Sequence, residues 1–120
     1  MNCATKMIII FGLKNCDTCR KARKWLDMEG LEHQFKDVRA DALSAETIAG
    51  WISAVGWEIL LNRRGTTWRR LSDADKHAVD ADKAQALMAE HPALIKRPVF
   101  EVSGKVLVGF KEDVQANLKE

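Results

Sequence analysis

The apolar positions change their period several times along the chain, and each change predicts an element. Met7-Ile8-Ile9-Ile10-Phe11 is an unbroken apolar run, the mark of a short buried strand, and Gly12 ends it. From Asp17 to Glu29 the apolar positions Cys19, Ala22, Trp25 and Leu26 fall at helical spacing, with Gly30 placed as a C-terminal cap. Leu31 to Val38 predicts a second strand, and a right-handed strand-helix-strand crossover makes the two strands parallel. After Ser44, a plausible N-cap, Ile48, Trp51, Ile52 and Val55 follow the i, i+3, i+4, i+7 pattern up to Gly56.

Trp57 to Asn62 predicts a short helix, Ser72 with Asp75 resembles a capping box, and Asp80 is placed to cap a helix running to about Glu90. Beyond Pro92 the pattern turns to strands. Pro98 to Val102 and Lys105 to Val108 are β-rich runs around Ser103-Gly104, a two-residue hairpin turn, and Lys111 to Leu118 predicts a closing helix. An opening βαβ, a hairpin and a last helix give an α/β, thioredoxin-like (glutaredoxin-like) four-stranded mixed sheet. The helices between about Ser44 and His91 then form an insertion within a single domain of residues 7–120, behind an N-terminal tail, Met1 to Lys6, that shows no period.

Composition narrows the class. At 120 residues the chain has room for one core, and 47% apolar with 30% charged residues is the balance of a globular protein. The longest apolar run is far below the ~20 residues of a spanning helix, and no signal-peptide pattern opens the chain, so no membrane role is expected and the cytoplasm is. A net charge of +2 gives no general affinity for polyanions. Trp51, Trp57 and Trp68 do not interleave with the basic clusters, which speaks for packing residues and against nucleic-acid binding.

Three cysteines, Cys3, Cys16 and Cys19, are an odd count without a secretory signal, a pattern that favours chemistry over a disulfide framework. Cys16-Asp17-Thr18-Cys19 follows a strand and begins a helix, the setting of a redox pair. Unpaired amides and the positive end of the helix dipole favour a thiolate, which makes Cys16 the expected nucleophile. Cys19, one turn on, is the expected resolving residue for a mixed disulfide on Cys16. His33, His77 and His91 are isolated, so no metal is expected. Cys3 has no assigned role.

Pro98 opens the third strand, where proline is tolerated. In a thioredoxin-like layout a cis bond after Arg97 would bring backbone beside the thiol and leave an N–H or C=O free for an extended peptide or glutathione. Arginines near Cys16 would stabilise its anion and grip an oxyanion or carboxylate with a bidentate fork. Candidates stand in two basic stretches, one of Lys14, Arg20, Lys21, Arg23 and Lys24, the other of Arg63, Arg64, Arg69 and Arg70.

Five segments together resemble a known family. They are Gly12-Leu13-Lys14-Asn15-Cys16-Asp17-Thr18-Cys19-Arg20-Lys21-Ala22, Leu61-Asn62-Arg63, His91-Pro92, Ile95-Lys96-Arg97-Pro98 and Val108-Gly109-Phe110-Lys111-Glu112-Asp113. In order and spacing they resemble the ArsC (arsenate reductase)/Spx/YffB family from about Met7 to Leu118, and most of all its YffB-type branch. The resemblance implies an ArsC-type fold and, for the YffB-type branch, a glutathione-dependent thiol reductase. It implies a catalytic set of Cys16, Cys19 and Arg97, and a substrate-binding set of Lys14, Asn15, Arg63, Arg97 and Pro98. Lys14, Arg63 and Arg97 would then meet the carboxylates of glutathione.

In the glutaredoxin-coupled arsenate reductases, the resemblance implies, three arginines hold the oxyanion. Arg97 matches one, the second falls at Asn62 or Arg63, and the third falls at about Gly109, where no arginine stands. Glutathione is implied as reductant or co-substrate with no permanently bound cofactor. Glutaredoxin or a disulfide-bearing protein is the implied partner of a monomer. The Spx-like branch implies instead a redox-switched partner of RNA polymerase.

Overall fold

The computed structural model describes residues 7–39 and 43–119, and Met1 to Lys6, with Cys3, lies outside them. The described chain divides into two compact units, one of residues up to Asp37 and from Arg97 on, the other Val38–Lys96.

The first unit holds β1 (Ile8–Gly12), α1 (Asp17–Met28), β2 (His33–Asp37), β3 (Val99–Val102), β4 (Lys105–Val108) and α7 (Glu112–Lys119). Its sheet runs β2-β1-β3-β4, with β1 parallel to β2 and antiparallel to β3, and β3 antiparallel to β4. This is the thioredoxin-like mixed sheet expected from the order of elements. Period two decides which side chains enter the core. Ile8 and Ile10 from β1, with Phe100 and Val102 from β3, meet Ala22 and Leu26 of α1 and Val114 and Leu118 of α7, and all eight are essentially closed to solvent. Trp25 packs edge-on against Phe110, ring centres 5.5 Å apart, beside that core.

The ends of these elements follow from local chemistry. Gly30 takes φ +69 and lets α1 finish with Leu31 N–H donating to the Leu26 carbonyl at 3.0 Å. Ser103 and Gly104 both take positive φ, +50 and +77, the geometry that matches a two-residue hairpin to the twist of its strands.

The second unit contains α2 (Ala45–Val55), α3 (Trp57–Leu60), α4 (Thr66–Arg69), α5 (Asp73–Lys76), α6 (Ala81–Glu90) and a 3₁₀ turn at Pro92–Leu94. Ser44, Ser72 and Asp80 accept hydrogen bonds from the N–H groups of Thr47, Asp75 and Lys83, as their sequence positions predicted. Ile48 and Trp51 of α2 are buried while Ile52 and Val55 are half-buried, so the apolar stripe of that helix is narrower in use than in sequence. A single bridge between Leu61 and Ile95 joins the end of α3 to the chain after the 3₁₀ turn. The α4 helix and the 3₁₀ turn were not foreseen. Among the described residues no helix is long and apolar enough to cross a membrane.

Candidate active site

In the first unit β1 ends at Gly12, and a three-residue turn delivers the chain to α1. The Cys16 N–H donates to the Leu13 carbonyl at 3.2 Å, and the Arg20 N–H donates to the Cys16 carbonyl at 3.0 Å. Cys16 is therefore the N-cap, with extended φ −92 and ψ 120, and Asp17 is the first helical residue. Arg20 braces the turn from outside, its Nε donating to the Lys14 carbonyl at 3.1 Å and its guanidinium 3.5 Å from the Asp17 carboxylate.

Cys16 is half-buried. Burial alone would raise its pKa, but the Cys19 N–H, the Cys19 thiol and the Arg97 guanidinium together outweigh it and hold the Cys16 thiol below its ordinary value. The sulfur makes no capping hydrogen bond of the geometry that Ser44 makes. A thiolate is larger and its charge more diffuse than an alkoxide, so it draws on the amides and dipole of the helix at longer range.

Cys19 is fully buried on the inner face of α1. A Cβ built on Gly12 would collide with the Cys19 sulfur, and would lie 3.2 Å from Cys19 Cβ and 3.5 Å from the Phe35 ring. Burial foremost pushes the Cys19 thiol up to about 12; the Leu13 backbone pulls it down, the sulfur of Cys16 and its charge add to the rise, and Arg97 opposes it. Gly12 thus belongs to the site as the residue that leaves room for this sulfur. The available signal was a glycine closing an apolar strand seven residues ahead of a cysteine on the inner face of the next helix.

Arg97 precedes a cis peptide bond to Pro98, in line with the expectation for that bond, and its Nε is shielded from solvent. Pro98 is buried. Its carbonyl accepts the Gly109 N–H at 2.8 Å. Pro98 itself lies one residue ahead of β3.

Cys16, Cys19 and Arg97 therefore act on one another, with Lys14 and Asn15 exposed on the turn before them. Arg63 is exposed in the second unit, its guanidinium 5.9 Å from the centre of the Trp57 ring. Gly109 has φ +90, a backbone state that disfavours any side chain there. Among the described residues no group of three His, Cys, Asp or Glu side chains gathers as a metal site.

The chain is similar to known proteins over most of its length. The sequence model of the ArsC family matches residues 11–118. A solved YffB structure is similar with a TM-score of 0.88 and 43% identity, covering 92% of this chain and 97% of that one. An arsenate reductase (ArsC) related protein from Brucella melitensis is similar with a TM-score of 0.78 and 42% identity, covering 99% and 100%. A global transcriptional regulator Spx from Streptococcus pyogenes is 28% identical over 109 residues, 89% of this chain and 81% of its own length. With nearly its whole length matched by one family and by relatives above 40% identity, the chain belongs to the ArsC family.

Proposed function

We propose that this protein is a glutathione-dependent thiol–disulfide oxidoreductase in which Cys16 is the nucleophile. The observation that carries the reading is the half-exposed Cys16 sulfur at the N-cap of α1, beside the Arg97 guanidinium, with its thiol held below the ordinary value. Such a sulfur ionises more readily than a free thiol and is reachable, the two conditions that favour attack on a disulfide.

In the first step the Cys16 thiolate attacks the glutathione sulfur of a mixed disulfide. A Cys16–glutathione disulfide forms, the substrate sulfur leaves as a thiolate, and it takes a proton from solvent. A thiolate from a second glutathione then attacks the glutathione sulfur held on Cys16, forming oxidised glutathione and returning Cys16 as the anion. The net exchange turns the mixed disulfide and one free glutathione into the substrate thiol and oxidised glutathione, whose two halves are the substrate's own glutathionyl group and the incoming glutathione. Arg97, with Lys14 and Asn15 on the turn, would receive the tripeptide's carboxylates and amides, and Pro98 would shape that side. A reducing cytoplasm supplies the glutathione.

The test is catalytic reduction of a glutathione mixed disulfide by glutathione, measured as release of the substrate thiol. Turnover that disappears in Cys16→Ser supports the reading; a wild type with no turnover ends it.

A second reading rests on the Spx likeness, since those relatives share most of this chain and are named as transcriptional regulators. It makes Cys16 and Cys19 a switch that is oxidised once per event and binds RNA polymerase. Co-purification with RNA polymerase that depends on the oxidation state, without turnover, would select it.

A further inference from the structure

We propose that the exposed face of α1 beyond Cys16, carried by Lys21 and Lys24, docks the protein half of the mixed disulfide and selects substrates whose glutathionylated cysteine sits among aspartates and glutamates. The proposal rests on the reading of Cys16 as the nucleophile toward glutathione mixed disulfides and names the class of protein that it serves.

Charge along α1 is sorted by end. The stretch from Asp17 to Lys24 holds four bases, Arg20, Lys21, Arg23 and Lys24, against one acid, Asp17. The far end is the reverse: no base stands in the last turn, Asp27 does, and Glu29 is the C-cap. The helix dipole favours bases at that end and acids at the other, so the stability of α1 does not explain the pattern. Local contacts account for two of the bases. Arg20 is bound to the turn and to Asp17, and the Arg23 guanidinium lies over the Phe35 ring, 4.3 Å from its centre. Lys21 and Lys24 are exposed and, among the described residues, form no ion pair. Three positions apart, they project from one side of the helix.

The glutathione half of the substrate leaves these two lysines unused. A tripeptide spans at most about 10 Å, and in the proposed reaction Arg97 and Lys14 meet its carboxylates. Lys21 and Lys24 stand about 8 and about 12 Å further along the helix axis than Cys16. A protein contact of roughly 500 Å² a side, small even for a transient complex, extends about 12 Å from its centre and covers both. The Debye length at physiological salt is about 8 Å, so carboxylates close to the disulfide feel this face and remote ones do not. Trp25, the one aromatic residue in the stretch, is packed against Phe110, so the face lacks the stacking platforms of a nucleic-acid site and fits an acidic protein better.

The experiment measures reduction by glutathione of two glutathionylated peptides of equal length, one with its cysteine among Asp and Glu, the other among Lys and Arg, at about 20 mM and about 500 mM salt. Each kcat/KM is divided by the peptide's own rate with glutathione alone. Wild type is expected to favour the acidic peptide about tenfold at low salt and to lose most of that preference at high salt. Lys21→Glu with Lys24→Glu should abolish or reverse the preference, and Lys21→Gln with Lys24→Gln should fall between. All three proteins should reduce the mixed disulfide of glutathione and uncharged mercaptoethanol within about threefold of one another. Equal kcat/KM for the two peptides in wild type overturns the proposal, even if the face then proves to bind a nucleic acid. So does a preference that the Glu changes leave intact, or a loss of the mercaptoethanol reaction in both variants, which would put the lysines in the reacting site itself. If wild type reduces no mixed disulfide, the parent reading fails, and fluorescence anisotropy of the same peptides, labelled, against wild type and the Glu variant still decides whether this face takes acidic chains.

Discussion

The sulfur of Cys19 occupies the space that a side chain at Gly12 would need. This contact ties the end of β1 to the inner face of α1, and through α1 it fixes where the N-cap residue Cys16 stands. A strand residue and a helix residue seven positions apart thus share one small volume.

Gly12→Ala is expected to destabilise the fold by about 1–3 kcal/mol, because the new methyl must displace a buried sulfur held on both sides. Urea unfolding checks this. Gly12→Ala combined with Cys19→Ala should be less destabilised than the sum of the two single changes, since the smaller side chain vacates the contested space. Strict additivity would mean that the two positions do not touch.

The Cys19 thiol gives the fold an alkaline dependence with a definite sign. Its folded pKa, about 12, lies above that of an unfolded cysteine. The unfolded chain therefore loses this proton first as pH rises, and the native state binds more protons between the two values. Stability from this group is intact below the unfolded pKa and falls as pH climbs toward about 12, by at most about 1.4 kcal/mol per pH unit. The measurement is denaturant unfolding across that window under reducing conditions, wild type against Cys19→Ala. A slope of the same size in both would remove burial of this thiol as its cause.

Arg97→Ala is expected to raise the Cys16 midpoint and slow alkylation at pH 7 by about tenfold, since a cation that favours the anion is lost. Arg97→Lys should retain part of the effect, because the charge stays while the planar fork does not. Equal rates for Arg97→Ala and wild type would show that the helix terminus and Cys19 suffice alone.

Arsenate should be a poor substrate. By the family resemblance the third oxyanion arginine of the arsenate reductases would fall at about Gly109, whose φ of +90 leaves the position to glycine. Loss of one charged fork weakens oxyanion binding by about ten- to a hundredfold. Reduction of arsenate coupled to glutathione and glutaredoxin tests it, and arsenate saturating at concentrations as low as the mixed disulfide would contradict it.

Much of the scaffold was legible because its signals are local. Ser44, Ser72 and Asp80 each satisfy an amide three residues on, Ser103-Gly104 supplies the positive φ of a hairpin, and Met7 to Phe11 is too short and too apolar for anything but a strand. Thr66–Arg69 and Pro92–Leu94 were not legible, since a segment of one turn is shorter than the period that would betray it. The Cys-x-x-Cys pair and the cis bond before Pro98 were read correctly as features. What the pair does was less accessible, because the seat of the Cys19 sulfur depends on Gly12 and Phe35, neighbours through packing and not through spacing.

Everything proposed for the site depends on charge being easier to place on the Cys16 sulfur in the folded protein than in the open chain. The most direct measurement is the rate of Cys16 alkylation against pH, once in the native protein and once in urea, with the site of alkylation read by mass spectrometry. The account predicts a native midpoint clearly below the midpoint in urea. A native midpoint equal to it or higher would contradict the account.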